Sequence, residues 1–200
     1  MNKFNKELHE ALENIDGSEF TRGITVGSTL KNFNGIHIIS VVTFTKSTEG
    51  STVVVKDSNG DVVTAESNGT YKLHEEAYTV TNSKAGYFSK TTTIEVEQAD
   101  ITAGTKAVTL DALVKFCAVT FTAKDSVSSE AITEFTLIVK KGEDTVAPIE
   151  GVYNLAAATY AYTISKEGYV TQTDVELIVS GEDVTTGTKS VVVTLVENGQ

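Results

Sequence analysis

The sequence contains one cysteine, one proline, one methionine and no tryptophan, and each shortage removes a class of protein. With Cys117 alone no intrachain disulfide can form, so the stapled frameworks of small secreted domains are excluded. Folding in a reducing cytosol is expected. No run of 18 apolar residues is present, so no membrane-spanning helix is expected. The amino terminus MNKFNKELHEALENIDG lacks the apolar core and small-residue cleavage site of an export signal. Positive charge is also scarce: 16 Lys and Arg stand against 27 Asp and Glu, a net charge of -11 with a pI near 4.7. Such a chain repels phosphate backbones and anionic bilayers, so neither nucleic acid nor a membrane is an expected partner.

Groups able to do chemistry are sparse as well. His9, His37 and His74 are far apart and sit in no metal-ligand or nucleophile-activating pattern. GTK at 104–106 and 187–189 lacks the frame of a phosphate loop and reads as a turn. DSNGD at 57–61 has the acidic spacing that opens a calcium loop. Its glycine is fourth where an EF-hand needs it sixth, and Asn68 stands at the twelfth place, so a hairpin around Asn-Gly is the better reading. Asp100 and Asp183 precede T-x-G-T-K stretches. A cation between loops is one use for them, and an acidic residue at a strand start is the commoner one. No catalytic constellation, cofactor or metal is expected, and the chain is not read as an enzyme.

What is abundant is Thr and Val, over a quarter of the residues together, and these side chains fit a pleated, half-buried surface. The β pattern is written twice. IHIISVVTFT (36–45) matches LVKFCAVTFT (113–122) at an offset of 77. GTYKL (69–73) matches GVYNL (151–155), and AYTVTNSKAGY (77–87) matches TYAYTISKEGY (159–169), both at 82. DITAGTKAV (100–108) matches DVTTGTKSV (183–191) at 83. A tandem duplication with small insertions in the second copy accounts for the drift. Units of about 80 residues can bury about 60–65% of their unfolded surface, enough for independent cores. Tyr160, Tyr162 and Ile164 alternate with Ala161, Thr163 and Ser165, one face apolar and one polar. The repeated tyrosines (Tyr71, Tyr78 and Tyr87 on Tyr153, Tyr160 and Tyr169) read as packing, and Cys117, in phase with Val119 and Phe121 and matched by Ser40, as a small buried residue.

The order Y-x-L, a tyrosine-bearing strand, S-K-x-G-Y and a closing D-[IV]-T-x-G-T-K-x-V strand resembles the immunoglobulin-like and carboxypeptidase-regulatory-like modules of bacterial surface proteins and phage virion proteins. The resemblance implies an all-β fold, two tandem Ig-like antiparallel β-sandwiches preceded by a short N-terminal helix and extended segment. The expected divisions are a docking or assembly segment at 1–35, a first sandwich at 36–113 and a second at 114–200, with almost no linker between the sandwiches. In S-K-x-G-Y, Gly86 and Gly168 are expected to turn the chain with positive φ, letting Tyr87 and Tyr169 fold back over the sandwich end.

In the first segment Phe4, Leu8, Leu12 and Ile15 fall on one face of a helix over 3–15, and Ile24, Val26, Leu30 and Phe33 continue the apolar character. This surface is the candidate assembly interface. Surface-type modules following Met1 with no export signal lead to the expectation of a non-enzymatic bacteriophage virion protein, a capsid decoration or head-fibre-like component, or a tail one. It would dock on a capsid or other virion protein through the N-terminal segment, with a second copy of the chain as the other candidate partner. The alternative is an adhesin or carbohydrate-binding accessory module of a bacterial surface protein. A host-surface glycan is the candidate ligand. The five extra residues of the second copy, within 123–150 around KKGEDTVAPIEG, are the expected adhesive site.

Overall fold

Alternation of apolar and polar residues makes the strands, and the duplication makes two sets of them. The computed structural model describes residues 39–199. The helix expected over 3–15 and the interface candidates Phe4, Leu8, Leu12, Ile15, Ile24, Val26, Leu30 and Phe33 lie outside the described residues. The first sandwich is built from β1 (Ser40–Lys46), β2 (Thr52–Lys56), β3 (Val62–Val63), β4 (Tyr71–Leu73), β5 (Glu76–Ser83), β6 (Lys90–Val96) and β7 (Thr105–Leu110). One of its sheets has the order β4-β1-β7 and the other β3-β2-β5-β6.

The second sandwich contains β8 (Cys117–Asp125), β9 (Ala131–Ile132), β10 (Thr136–Lys141), β11 (Asp144–Val146), β12 (Tyr153–Leu155), β13 (Ala158–Ser165), β14 (Gln172–Val179) and β15 (Thr188–Leu195). Its sheets are β12-β8-β15, with β9 added to β8, and β11-β10-β13-β14. The all-β sandwich fold expected from the sequence is the fold observed.

Each sandwich closes on its own core. Val42, Val55, Leu73, Tyr78, Val80 and Val96 are among the residues at the centre of the first, and Val119, Val139, Leu155, Ile164, Val179 and Leu195 among those at the centre of the second. A fully buried side chain of this size contributes about 1.5–3 kcal/mol. The Y-x-L tyrosines tie the two layers together: Tyr71 on β4 donates its hydroxyl to the Val53 carbonyl on β2 (3.2 Å), and Tyr153 on β12 does the same to Leu137 on β10 (3.3 Å). Each also receives a phenylalanine edge-on, Phe44 at 5.5 Å and Phe121 at 5.7 Å between ring centroids. An aromatic repeated in register thus serves packing and carries its polar tip to a backbone acceptor.

Two features depart from the sequence reading. The first concerns pairing, because most strand pairs are antiparallel but β1 pairs with β7, and β8 with β15, in parallel. Hairpin connections give antiparallel neighbours, whereas the first and last strands of a sandwich meet only through a long crossover and are free to run the same way. The second concerns D-[IV]-T-x-G-T-K, whose first half is not strand. It forms one-and-a-half-turn helices, α1 (Gln98–Ala103) and α2 (Gly181–Thr186), each ended by a glycine in the left-handed region, Gly104 and Gly187. Both helices open with a capping box, Glu97 with Asp100 and Ser180 with Asp183. The reciprocal bonds satisfy backbone donors that a six-residue helix would leave bare.

Candidate functional site

The repeated phrase S-K-x-G-Y explains how the chain leaves each sandwich. Gly86 and Gly168 have φ of 78° and 86°, and Tyr87 and Tyr169 donate their N–H back to Lys84 and Lys166 (3.1 Å each). The turn so formed grips the outgoing chain. Phe88 N–H donates to Val114 (2.9 Å) and Phe116 N–H to Gly86 (3.0 Å). In the second copy Val170 N–H donates to Val196 (2.8 Å) and Asn198 N–H to Gly168 (2.9 Å). The bridges Tyr87 to Lys115 and Tyr169 to Glu197 complete the two clips. Both tyrosine rings are half-buried, with Lys84 Nζ 5.1 Å from the Tyr87 centroid. Between the sandwiches the Phe116 ring meets Phe88 at a tilt of 55° with centroids 5.1 Å apart, and Lys115 Nζ reaches the Thr185 carbonyl on α2 (3.2 Å).

The acidic positions that raised a cation question have their cation already. Lys106 Nζ lies 2.7 Å from Asp100 Oδ2, and Lys189 Nζ 2.8 Å from Asp183 Oδ2. The lysine first, then the Ser180 backbone N–H and hydroxyl, hold the Asp183 carboxyl down at about 2. Lys106 and the Glu97 N–H lower Asp100 in the same way. These ion pairs pin each short helix to the strand after it. At 57–61, Asp57 Oδ1 accepts from the N–H groups of Asn59 and Asp61 (2.9 Å each), so one carboxylate oxygen serves the turn between β2 and β3. That turn spans the five residues 57–61 and closes a hairpin around Asn59-Gly60, as expected. Cys117 is fully buried with its thiol pushed up by burial, and Ser40 is equally buried. His74 is exposed, and its N–H meets the Tyr78 hydroxyl at 3.0 Å. Tyr71, Tyr78, Tyr153, Tyr160 and Tyr162 are all buried, which leaves them unavailable as a sugar-stacking platform.

The geometry narrows the place of the insertion within the expected 123–150. Val42 pairs with Tyr71 as Val119 does with Tyr153, an offset of 77. Val55 pairs with Val80 as Val139 does with Tyr162, an offset of 84. Seven residues (84 minus 77) therefore enter between β8 and β10, within 126–135 and upstream of the stretch around KKGEDTVAPIEG. The latter is a tight hairpin, with Lys141 opposite Asp144. Sequence matching missed this because KDSVSSEAITEF and KSTEGSTVVV share too little to align.

The inserted loop is held from one residue. Asp125 Oδ1 accepts from Ser128 N–H (2.7 Å), Ser128 Oγ (2.9 Å) and Val127 N–H (3.0 Å), and the Asp125 N–H donates to Glu130 (2.9 Å). These donors, Ser128 foremost, lower the Asp125 carboxyl and keep it charged. β9 then pairs back on β8, Ala123 opposite Ile132. Ser129 and Glu134 adopt positive φ, 61° and 57°. Strain at non-glycine residues persists only where surrounding bonds over-determine it, and Asp125 supplies them at Ser129. The loop presents Val127, 71% exposed, at the end of β8 away from the junction. Ser126 N–H bonds Leu195 there (2.9 Å), which brings exposed Val196 and its partner Val170 to the same end. Glu130 and Glu197 flank them: with Asp125 they raise Tyr169, after burial as the main cause. The arrangement is an apolar tip with acidic surroundings, held by backbone bonds.

No family model matches the chain, and no curated protein matches it. Among solved structures it is similar to the Bacillus anthracis TIE protein, at 17% identity and a TM-score of 0.35, over 80% of this chain and 34% of that one. It is similar to the shaft pilin SpaA of Lactobacillus rhamnosus GG, at 12% identity and 0.35, over 81% of this chain and 99% of the pilin. It is also similar to the minor pilin GBS52 of Streptococcus agalactiae, at 9% identity and 0.32, over 82% and 85%. The chain spans about a third of the TIE protein and of the SpaC pilus adhesin. The expectation of a capsid or tail role rests on the sequence argument alone.

Proposed function

We infer that the chain is a non-catalytic display module of the adhesin type, part of a bacterial surface protein, whose second sandwich offers the binding end. The observation that carries this reading is the Asp125-pinned insertion at 126–135. The first sandwich joins β1 to β2 without it, and the second copy carries it at the end away from the junction. Residues added to one copy of a duplicated scaffold, exposed and held by a buried carboxylate, are where such modules carry recognition. The linker clip and the Lys115 contact to α2 support a spacer role for the first sandwich. The ligand class is a neutral or cationic surface group, a host glycan being the candidate, because a chain of net charge -11 disfavours anionic surfaces. Affinity per module is low and is raised by many copies.

The test uses beads carrying many copies of the full chain, with residues 126–135 intact or replaced by the β1–β2 connection of the first sandwich. They are applied to glycan arrays and to cells. Binding lost with the insertion supports the reading, and binding unchanged moves the site elsewhere. A particle fraction of a phage lysate that contained the chain would return the virion reading with 1–35 as the docking segment.

A further inference from the structure

We propose that the tandem is a load-bearing element, in which the parallel ladders β1/β7 and β8/β15 are clamps that resist tension applied along the chain. The inference goes beyond the display reading and does not depend on which ligand is bound. It starts from strand direction. Within each sandwich the chain enters at the start of the first strand and leaves from the end of the last one. Because those two strands run parallel side by side, entry and exit lie at opposite ends of one ladder. A pull along the chain therefore slides the strands past one another. Every hydrogen bond of the ladder is loaded at once, and none can be broken ahead of the rest.

The ladders are the right length and in the right place for this. β7 follows β1 through the register from Val41 opposite Thr105 to Lys46 opposite Leu110. β15 follows β8 from Thr188 opposite Ala118 to Leu195 opposite Asp125. Neither register is interrupted. The antiparallel pair β13/β14, in contrast, shifts register between Tyr162 and Ile164, and it lies between the load points, where it takes no direct pull. The inner side chains of the loaded strands, Val42, Leu110, Val119, Val193 and Leu195, are buried, which keeps water from replacing ladder bonds one by one. The start of each ladder is fixed from the side: Val41 N–H bonds Gly104 (3.0 Å) and Ala118 N–H bonds Gly187 (2.9 Å), at the ends of α1 and α2. The Asp100–Lys106 and Asp183–Lys189 pairs hold those turns.

The S-K-x-G-Y clips then have a place in the sequence of events. Each holds the outgoing chain by two backbone bonds across a bridge, and so few bonds yield early. They peel before the clamp slips, lengthening the chain slightly while both cores stay intact. Forced unfolding is governed by the barrier to the first irreversible step. That step is rupture of the parallel ladder, and it is costlier in the second sandwich, whose ladder is longer.

The experiment is single-molecule force spectroscopy on the full chain, with handles at its two ends. A second geometry uses the same protein held through Lys115→Cys and Thr186→Cys, which grip the starts of β8 and β15 and open the ladder as a zipper. Cys117→Ser, the residue the first copy places there, removes the competing thiol in both. At one loading rate, rupture of the second sandwich is expected at a severalfold higher force from end to end than from 115 to 186. The end-to-end trace should show the first sandwich rupturing before the second. Equal forces in the two geometries would overturn the clamp, as would rupture of the second sandwich before the first. Circular dichroism of each cysteine variant confirms that the compared molecules are folded.

Discussion

The two sandwiches carry one plan with different cores, and position 82 shows the difference most sharply. In the second copy Ile164 is fully buried opposite Leu137. In the first, the same place on β5 holds Asn82 opposite Val53, 2% exposed, with neither amide atom finding a protein partner. The buried Ser51 hydroxyl in the β1–β2 connection is likewise without one. At this position the first sandwich buries polar atoms that return little, whereas the second fills the place with hydrocarbon and keeps its own unpartnered buried oxygen, Asp125 Oδ2, at the far end of β8. Duplication leaves the backbone plan intact because backbone bonds and the two-residue period set it. The cores can then drift apart one side chain at a time.

Moving the polar residue into the better core is the most damaging way to break this contrast. Ile164→Asn creates a cavity and strands an amide, and it is expected to destabilise the second sandwich by about 3–5 kcal/mol. Urea unfolding, with hydrogen exchange on the β13 amides, measures it. A loss below about 1 kcal/mol would mean the site accepts an amide and that the contrast is superficial. The reverse exchange is milder. Asn82→Val, close in volume and at home in a strand, should stabilise the first sandwich by about 1–3 kcal/mol, since an unpaired buried amide is removed without overpacking. Calorimetry should then show the first transition approaching the second. A destabilised variant would reveal that Asn82 makes a bond essential to the fold.

What was readable in the sequence, and what was not, follows the same division between local and non-local causes. The strands and the packing role of the tyrosines were legible because a period of two and an in-register repeat are local signals. The direction in which β1 meets β7 was not, because it joins residues more than sixty apart and no turn residue encodes it. The helices α1 and α2 escaped because six residues hold too little periodicity to register, although Ser180-x-x-Asp183 with Gly187 after it was a usable capping signature. The candidate tip lies inside the expected window of 123–150, but its exact place was not legible because its key residue, Asp125, stands where the first copy has Thr48, whose Oγ1 accepts from Leu113 N–H at 2.8 Å. Similarity could not align a position whose chemistry had changed.

A shared element should respond alike in both copies, which sharpens the comparison from the other side. Gly86 and Gly168 sit in the same left-handed conformation with open space where a Cβ would project. Replacement by alanine is therefore penalised by backbone strain alone. About 1 kcal/mol is expected in each case, equal to within about 0.5 kcal/mol. Parallel urea titrations of the two variants check this. A clear inequality would show that the two clips differ in more than sequence.

The smallest contrast is electrostatic and appears only in acid. Asp183 receives Lys189, the Ser180 N–H and the Ser180 hydroxyl, whereas Asp100 receives Lys106 and the Glu97 N–H, its capping residue offering no hydroxyl. Both carboxyls lie below the ordinary range, Asp183 at about 2. A carboxylate whose pKa is lower folded than unfolded releases its proton more readily in the native state. Its stabilisation is therefore complete above the unfolded value of about 4, and it disappears as pH falls towards the folded one. Stability of the second sandwich should accordingly decline between about pH 4 and pH 2, and Asp183→Asn should flatten that part of the profile. Ser180→Ala deletes the hydroxyl donor that the first sandwich lacks, so it should raise the Asp183 midpoint. Carboxyl carbon titration by NMR follows both residues in one sample. An Asp183 midpoint unmoved by Ser180→Ala would assign the whole depression to the lysine and the backbone, leaving the two helices electrostatically alike.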